Sequence, residues 1–241
     1  EALRITSTGE LRVPAGIGAQ LRFENQHSVT TDAAISTYDD SSGTLLCLGS
    51  NFYFNSAGSE TRYNTSEESS GIVMNRNGTI TLKTGGTGAT ATTRLSIDSD
   101  GFVTKPYQAM FEAGGNNSAF SAQSPLPYPS VKYNIGNCYN NSTYKFTAPV
   151  NGYYQVMAHV IPTDYTAGGN NVELYVMDNH GTRYFLDRKL KSTNYSTNNF
   201  SVGGTRIIYA DATDTLWLQF HAISGNPKVE TASYFSIMLV A

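Results

Sequence analysis

The stretch at residues 128–158, YPSVKYNIGNCYNNSTYKFTAPVNGYYQVMA, constrains what this chain can fold into more than any other. It begins as a polar, Asn-rich loop and passes into a short strand through Tyr144 and Phe146. Pro149, Asn151 and Gly152 then make a tight reversal, because Pro presets φ whereas Asn and Gly tolerate φ > 0. A longer strand starts at Tyr153. Aromatics from both strands enter a shared core, so this part of the chain is expected to be β-structure.

Composition points the same way for the whole chain. Among 241 residues, 12% are aromatic and only 15% charged, with 16 Tyr and 22 Gly. Aromatic residues suit a pleated, half-buried surface and Gly suits turns, which predicts an all-β protein. The length allows one large β domain or two smaller ones, each with its own core. A net charge of −3 and a pI near 5.8 give no electrostatic reason to bind nucleic acid or an anionic membrane. No apolar run is long enough to cross a bilayer as a helix, so membrane insertion is not expected either. Cys47 and Cys138 stand in unrelated contexts and are expected to be buried, reduced thiols. The chain opens on Glu1 without the basic and apolar regions of a secretion signal, and is expected to be a piece of something longer.

The spacing of Tyr128, Asn134, Tyr139, Phe146, Gly152 and Tyr154 resembles the signature of the C1q-like domain, a compact jelly roll related to the tumour necrosis factor fold. Val156 and Ala158 stand where that pattern carries aromatics, so the core there is packed differently. Further on, GTRIIYADATDTLWL at 204–218 again resembles the family, with Thr213 in place of the usual Gly before the Asp. Trp217 is expected to be a core anchor, because Leu216 and Leu218 alternate with it in an apolar strand. The resemblance covers residues 106–241 and implies a C-terminal jelly-roll sandwich that trimerises with its own copies.

The first hundred residues read differently. ITSTGEL at 5–11, MNRNGTI at 74–80 and IDSDGFV at 97–103 share an apolar residue, a polar run, a Gly, one residue and an apolar residue. Each reads as a β-hairpin whose flanking apolar side chains return to one face. Units this small are marginal alone and need neighbours or partner chains. Strands are expected at 20–23, 33–38, 44–48 and 52–54. LKTGGTGATATT at 82–93 reads as a flexible linker in one chain, or as a close-packed axis in three. RITSTGELRV and RLSIDSDGFV resemble segments of bacteriophage tail-fibre and neck-appendage proteins that precede a terminal head. Residues 1–105 are therefore expected to be a hairpin-rich, trimeric fibre shaft domain, and 106–241 its head.

In the head, strands are expected at 108–112, 143–147, 153–161, 172–178, 183–188, 200–209, 215–221 and 234–240. Antiparallel strands alternate in direction, so their connections sort to two ends. Short turns at 148–152, 179–182 and 210–214 fall at the shaft end. Long polar connections at 113–142, 162–171, 189–199 and 222–233 fall at the far end. Tyr165, Asn170, Asn171, Asn194, Tyr195, Asn198 and Asn199 lie there among Gly, Ser and Thr, a mixture suited to adaptable recognition of a receptor or sugar.

Nothing in the sequence spaces residues for catalysis. Asp98-Ser99-Asp100-Gly101 resembles the start of a calcium loop but lacks its later ligands, and reads as a hairpin turn. His27, His159, His180 and His221 are scattered, so neither a metal nor a cofactor is expected. Asp39-Asp40 and Glu67-Glu68 are adjacent pairs that do not place two carboxylates for acid/base work. The resemblances together imply a homotrimeric virion protein, joined to other tail proteins through its N-terminal side and binding a host polysaccharide or outer-membrane component. A secreted lectin or adhesin, a purely structural virion protein, and a glycan-cleaving fibre with a site between chains are the alternatives.

Overall fold

The computed structural model describes residues 4–5, 11–12, 18–24, 31–40, 43–121, 123–167, 171–190, 200–221 and 223–241. Every regular element among them is a β-strand. The chain divides into two compact units, Glu1–Pro106 and Tyr107–Ala241.

In the first unit β1 (Arg4–Ile5) pairs with β2 (Leu11–Arg12). Next come β3 (Gly18–Phe23), β4 (Ala33–Asp40), β5 (Gly43–Ser50), β6 (Tyr53–Phe54) and β7 (Glu60–Thr61). They are followed by β8 (Ser69–Met74), β9 (Ile80–Gly85), β10 (Thr92–Ile97) and β11 (Val103–Thr104). Seven of these form one antiparallel sheet in the order β11-β10-β9-β8-β5-β4-β3, and β6 pairs with β7. All three expected hairpins are present, with Ile5 opposite Leu11, Met74 opposite Ile80 and Ile97 opposite Val103.

One face of this sheet is covered by its own chain. Phe52 and Phe54 pack on Leu45, Cys47 and Val73. Phe52 reaches the strands because Gly49 and Gly71, paired across β5 and β8, leave the backbone bare. A methyl group at Gly71 would lie 2.5 Å from Phe52 Cδ1. Buried Asn51 turns the chain over the sheet edge with a φ of +51°, its amide donating to the carbonyls of Asn64 and Glu68 at 2.8 Å. Residues 82–93 are not a flexible linker, which corrects that reading of the sequence. They are the adjoining ends of β9 and β10 with the turn between them, and Ala91 is buried in this core. Small residues are used there because Gly85 lies against Arg62 and the backbone of Ala91.

The second unit contains β12 (Met110–Gly114), β13 (Ser118–Ala119), β14 (Ser130–Ile135), β15 (Tyr139–Asn140) and β16 (Lys145–Thr147). β17 (Gly152–Val160), β18 (Pro162–Ala167), β19 (Asn171–Asp178) and β20 (Arg183–Leu190) follow. The last are β21 (Val202–Ala210), β22 (Thr215–His221), β23 (Ile223–Val229) and β24 (Tyr234–Leu239). Two five-stranded antiparallel sheets, β14-β12-β24-β17-β21 and β15-β16-β22-β19-β20, enclose the core in a jelly-roll sandwich. Tyr144 lies just outside β16, in a turn with a φ of +59°.

Three connections expected as long loops carry strands instead. β14 is an edge strand of the first sheet, and β13, β23 and β18 make a third, small sheet. PTDYTA carries only Pro162 and Tyr165 as bulky apolar residues, and ISGNPKV is broken by Gly225 and Pro227, so neither reads as a strand, yet Ile223 and Val229 are buried in the core and Tyr165 packs on it. Pro227 falls where the β18–β23 register shifts, beside Asp164 with its φ of +53°, so it interrupts no regular ladder. At the opposite end the three short turns meet as their sorting required. Ala148 N–H donates to the Asp214 carbonyl at 2.8 Å, and Ala212 N–H to Asn151 Oδ1 at 2.7 Å.

Candidate functional site

The six signature residues build the sandwich rather than a surface. Phe111 stacks on Tyr139 at 4.1 Å and meets Phe146 at 5.8 Å, while Phe235 closes against Phe111 and Tyr128. Tyr139 Oη donates to the Tyr128 carbonyl at 3.0 Å, and Tyr154 Oη to the Val150 carbonyl at 2.7 Å. Burial pushes the Tyr139 hydroxyl well above its ordinary range. Asn134 pins the β14–β15 connection, donating to the Tyr139 carbonyl at 2.8 Å and accepting from its N–H at 3.1 Å. Gly152 admits the C-terminus, since a methyl group there would lie 2.6 Å from the Ala241 carbonyl oxygen. Cys47 and Cys138 are free and buried, each thiol pushed up to about 11 by desolvation.

Trp217 departs from its expected place. Leu216 and Leu218 point into the core, so the period of two turns Trp217 to the outer face, where it is only partly covered. Lys145 Nζ lies 4.0 Å from its ring centroid, and its indole N–H donates to Gln219 Oε1 at 3.3 Å. On the same face Glu173 accepts from Tyr175 Oη at 2.5 Å and pairs with Arg188 Nε at 3.0 Å. These contacts hold the Glu173 carboxyl below its ordinary value, the tyrosine bond contributing most.

The sheet β14-β12-β24-β17-β21 has a different outer face. Tyr153 and Tyr209 stand opposite each other with ring centroids 5.3 Å apart, both about half exposed, and Ile207 beside them is 60% exposed. Tyr133 and Tyr234 are exposed on the same sheet, and His159 stacks on Tyr234 at 5.7 Å. Sequence reasoning missed this surface. Its signal was present in the adjacent pairs Tyr153-Tyr154 and Ile207-Ile208, which put apolar residues on both faces of a strand.

At the end of the sandwich opposite the short turns, the structure describes two of the candidate receptor residues, Tyr165 and Asn171. Tyr165 is half-buried, its ring meeting Phe200 edge-on at 5.1 Å and packing on the core. Asn171 opens β19 and donates to Glu173 Oε1 at 2.8 Å. Asn170, Asn194, Tyr195, Asn198 and Asn199 lie outside the described residues. At the end bearing the short turns His180 Nε2 and Asp214 Oδ1 are 2.7 Å apart, tying two turns together; the pair raises the imidazole pKa and lowers that of the carboxyl. Asp98 Oδ1 accepts from the N–H groups of Asp100 and Phe102 at 3.0 and 2.9 Å, the bonding of a hairpin turn. Among the described residues no three His, Cys, Asp or Glu side chains come together to hold a metal.

Two antiparallel five-stranded sheets closed by a jelly-roll path, with the signature residues spent on packing, define an all-β sandwich domain. The C1q domain family model matches residues 110–240, and the chain belongs to that family. Its fold is also similar to solved structures. The globular domain of zebrafish complement 1qA protein matches at 15% identity and a TM-score of 0.43, over 56% of this chain and 98% of that one. Eiger TNF from S. frugiperda matches at 12% and 0.41, over 56% and 93%. Murine APRIL matches at 10% and 0.42, over 55% and 99%. Comparison with curated proteins returned no match.

Proposed function

We propose that this chain is a homotrimeric fibre protein of a bacteriophage virion, whose C1q-type head attaches the particle to a host surface by binding a polysaccharide or outer-membrane component. The observation that carries the trimer is the uncovered face bearing Tyr153, Ile207 and Tyr209. Aromatics of this size in one exposed patch mark a contact surface. The hairpin units of the first unit support the fibre, and its N-terminal side would join the other tail proteins. Three identical heads turn weak individual contacts into avidity, so neither a cofactor nor a catalytic step is needed.

Light scattering with and without chelator tests the assembly. The expected mass is three times the 26.1 kDa chain, unchanged by chelator. Replacing Ile207 and Tyr209 together by Asp should release monomers, and a wild-type monomer overturns the reading. Exchange of residues 189–199 should abolish adsorption to bacteria while leaving the mass unchanged. Adsorption that survives that exchange counts against these loops as the receptor surface. Reducing sugars released from host polysaccharide would favour the glycan-cleaving alternative.

A further inference from the structure

The seven-stranded sheet of the first unit has a second face, opposite Phe52, that carries an apolar ladder. Following the register across six strands, Leu21, Ile35, Leu48, Ile72, Leu82 and Leu95 stand in one row. The next row, from Leu46 through Met74 and Ile80 to Val103, is apolar too. Leu21, Leu48, Ile72 and Leu82 are 36–49% exposed and Val103 58%, Ile35, Leu46, Leu95 and Ile97 are half-buried, and a shallow trough of about 520 Å³ lies over Ile35, Leu48, Ile72 and Leu82. Single exposed apolar side chains are ordinary, whereas an unbroken ladder across a sheet is not. Charge appears only at the margins, with Asp39 beyond the second row and Arg94 at the β10 bulge, its Nε donating to Thr84 Oγ1 at 2.9 Å.

We infer that this ladder is the surface by which copies of the chain meet through their first units, an inference that rests on the homotrimer reading. The two rows hold no charge for a charged partner to answer. Around the threefold axis of a homotrimer each copy turns the same flat, neutral rows inward, so every ladder meets the ladders of the other two. Six strands spaced about 4.8 Å apart, with the reach of their side chains, make a patch of roughly 30 Å by 20 Å. That approaches the roughly 800 Å² each partner contributes to a stable interface. Copies already joined through their second units see one another at an effective concentration of about millimolar, so a face of this size suffices.

The test uses the full chain with single cysteines at Ile72→Cys or Leu82→Cys on the ladder, and at Asn77→Cys in the exposed β8–β9 turn. Cys47 and Cys138 are buried and stay silent to a maleimide dye under native conditions. In samples with the mass of three chains, positions 72 and 82 should label about tenfold more slowly than position 77. In monomers made by the Ile207 and Tyr209 replacements, all three should label alike. Fast labelling at 72 and 82 in a trimer overturns the inference and leaves the trimer standing. Slow labelling that persists in the monomer also overturns it, because the cover then comes from the chain itself or from another molecule. A wild-type monomer with fast labelling overturns both readings.

Discussion

Thr213 carries a φ of +77°, a conformation that crowds a β-branched side chain. It is held there because its N–H donates to the Ala148 carbonyl at 2.7 Å, locking the turn before β22. Strain of this kind costs on the order of 1–3 kcal/mol, and Gly returns part of the gain as unfolded-chain entropy. Thr213→Gly should therefore stabilise the second unit by roughly 1 kcal/mol, read as a rise in the denaturant midpoint at unchanged slope. Gly71→Ala should act the other way. Its methyl group meets the Phe52 ring, and overpacking of this sort costs about 1–3 kcal/mol. Denaturation followed at the tyrosines of the first unit would show it, and an unchanged midpoint would mean that Phe52 can move aside.

The recurrent element is a three-residue turn closed by Gly in the left-handed region, at Gly58, Gly78, Gly101 and Gly181. Two of these turns, at 74–80 and 97–103, were legible because apolar residues flank them symmetrically. The turns around Gly58 and Gly181 were not read as the same unit, since Glu60 and Arg183 follow where an apolar residue would mark the return. The Gly181 turn is tied to its neighbour by His180 and Asp214. The imidazole pKa is raised above its ordinary 6.5, so this contribution is complete below that value and lost as pH rises through the folded-state pKa. Asp214 is depressed below 3.8, so its share is present above that value and lost as pH falls through the folded-state pKa. Melting temperatures of wild type and His180→Gln should thus converge above neutral pH and separate at mildly acidic pH. Parallel curves would show that the contact is screened by solvent. The strand pattern of the sandwich was readable wherever one face was buried. It failed for β18 and β23, whose buried residues are masked by Pro162, Gly225 and Pro227, and for Trp217, whose two leucine neighbours settle only that it faces the other way.

Across the whole molecule, each unit covers one side of a sheet with its own side chains and leaves a neutral or aromatic side open. The family signature located the jelly roll because its residues are packing residues. The open faces escaped notice because adjacent apolar residues look the same whether they meet a core or a partner. Replacing Ile72 by Glu should leave the melting of an isolated chain nearly unchanged while weakening assembly, and circular dichroism run beside light scattering would separate the two effects. The two thiols add a different consequence. Both are free, sealed in separate cores and held protonated at neutral pH, so no covalent link underwrites either fold. The protein is thereby indifferent to redox surroundings: it can fold in a reducing cell interior and persist in oxidising medium without rearrangement. A melting temperature that is the same with and without reductant is the expected sign.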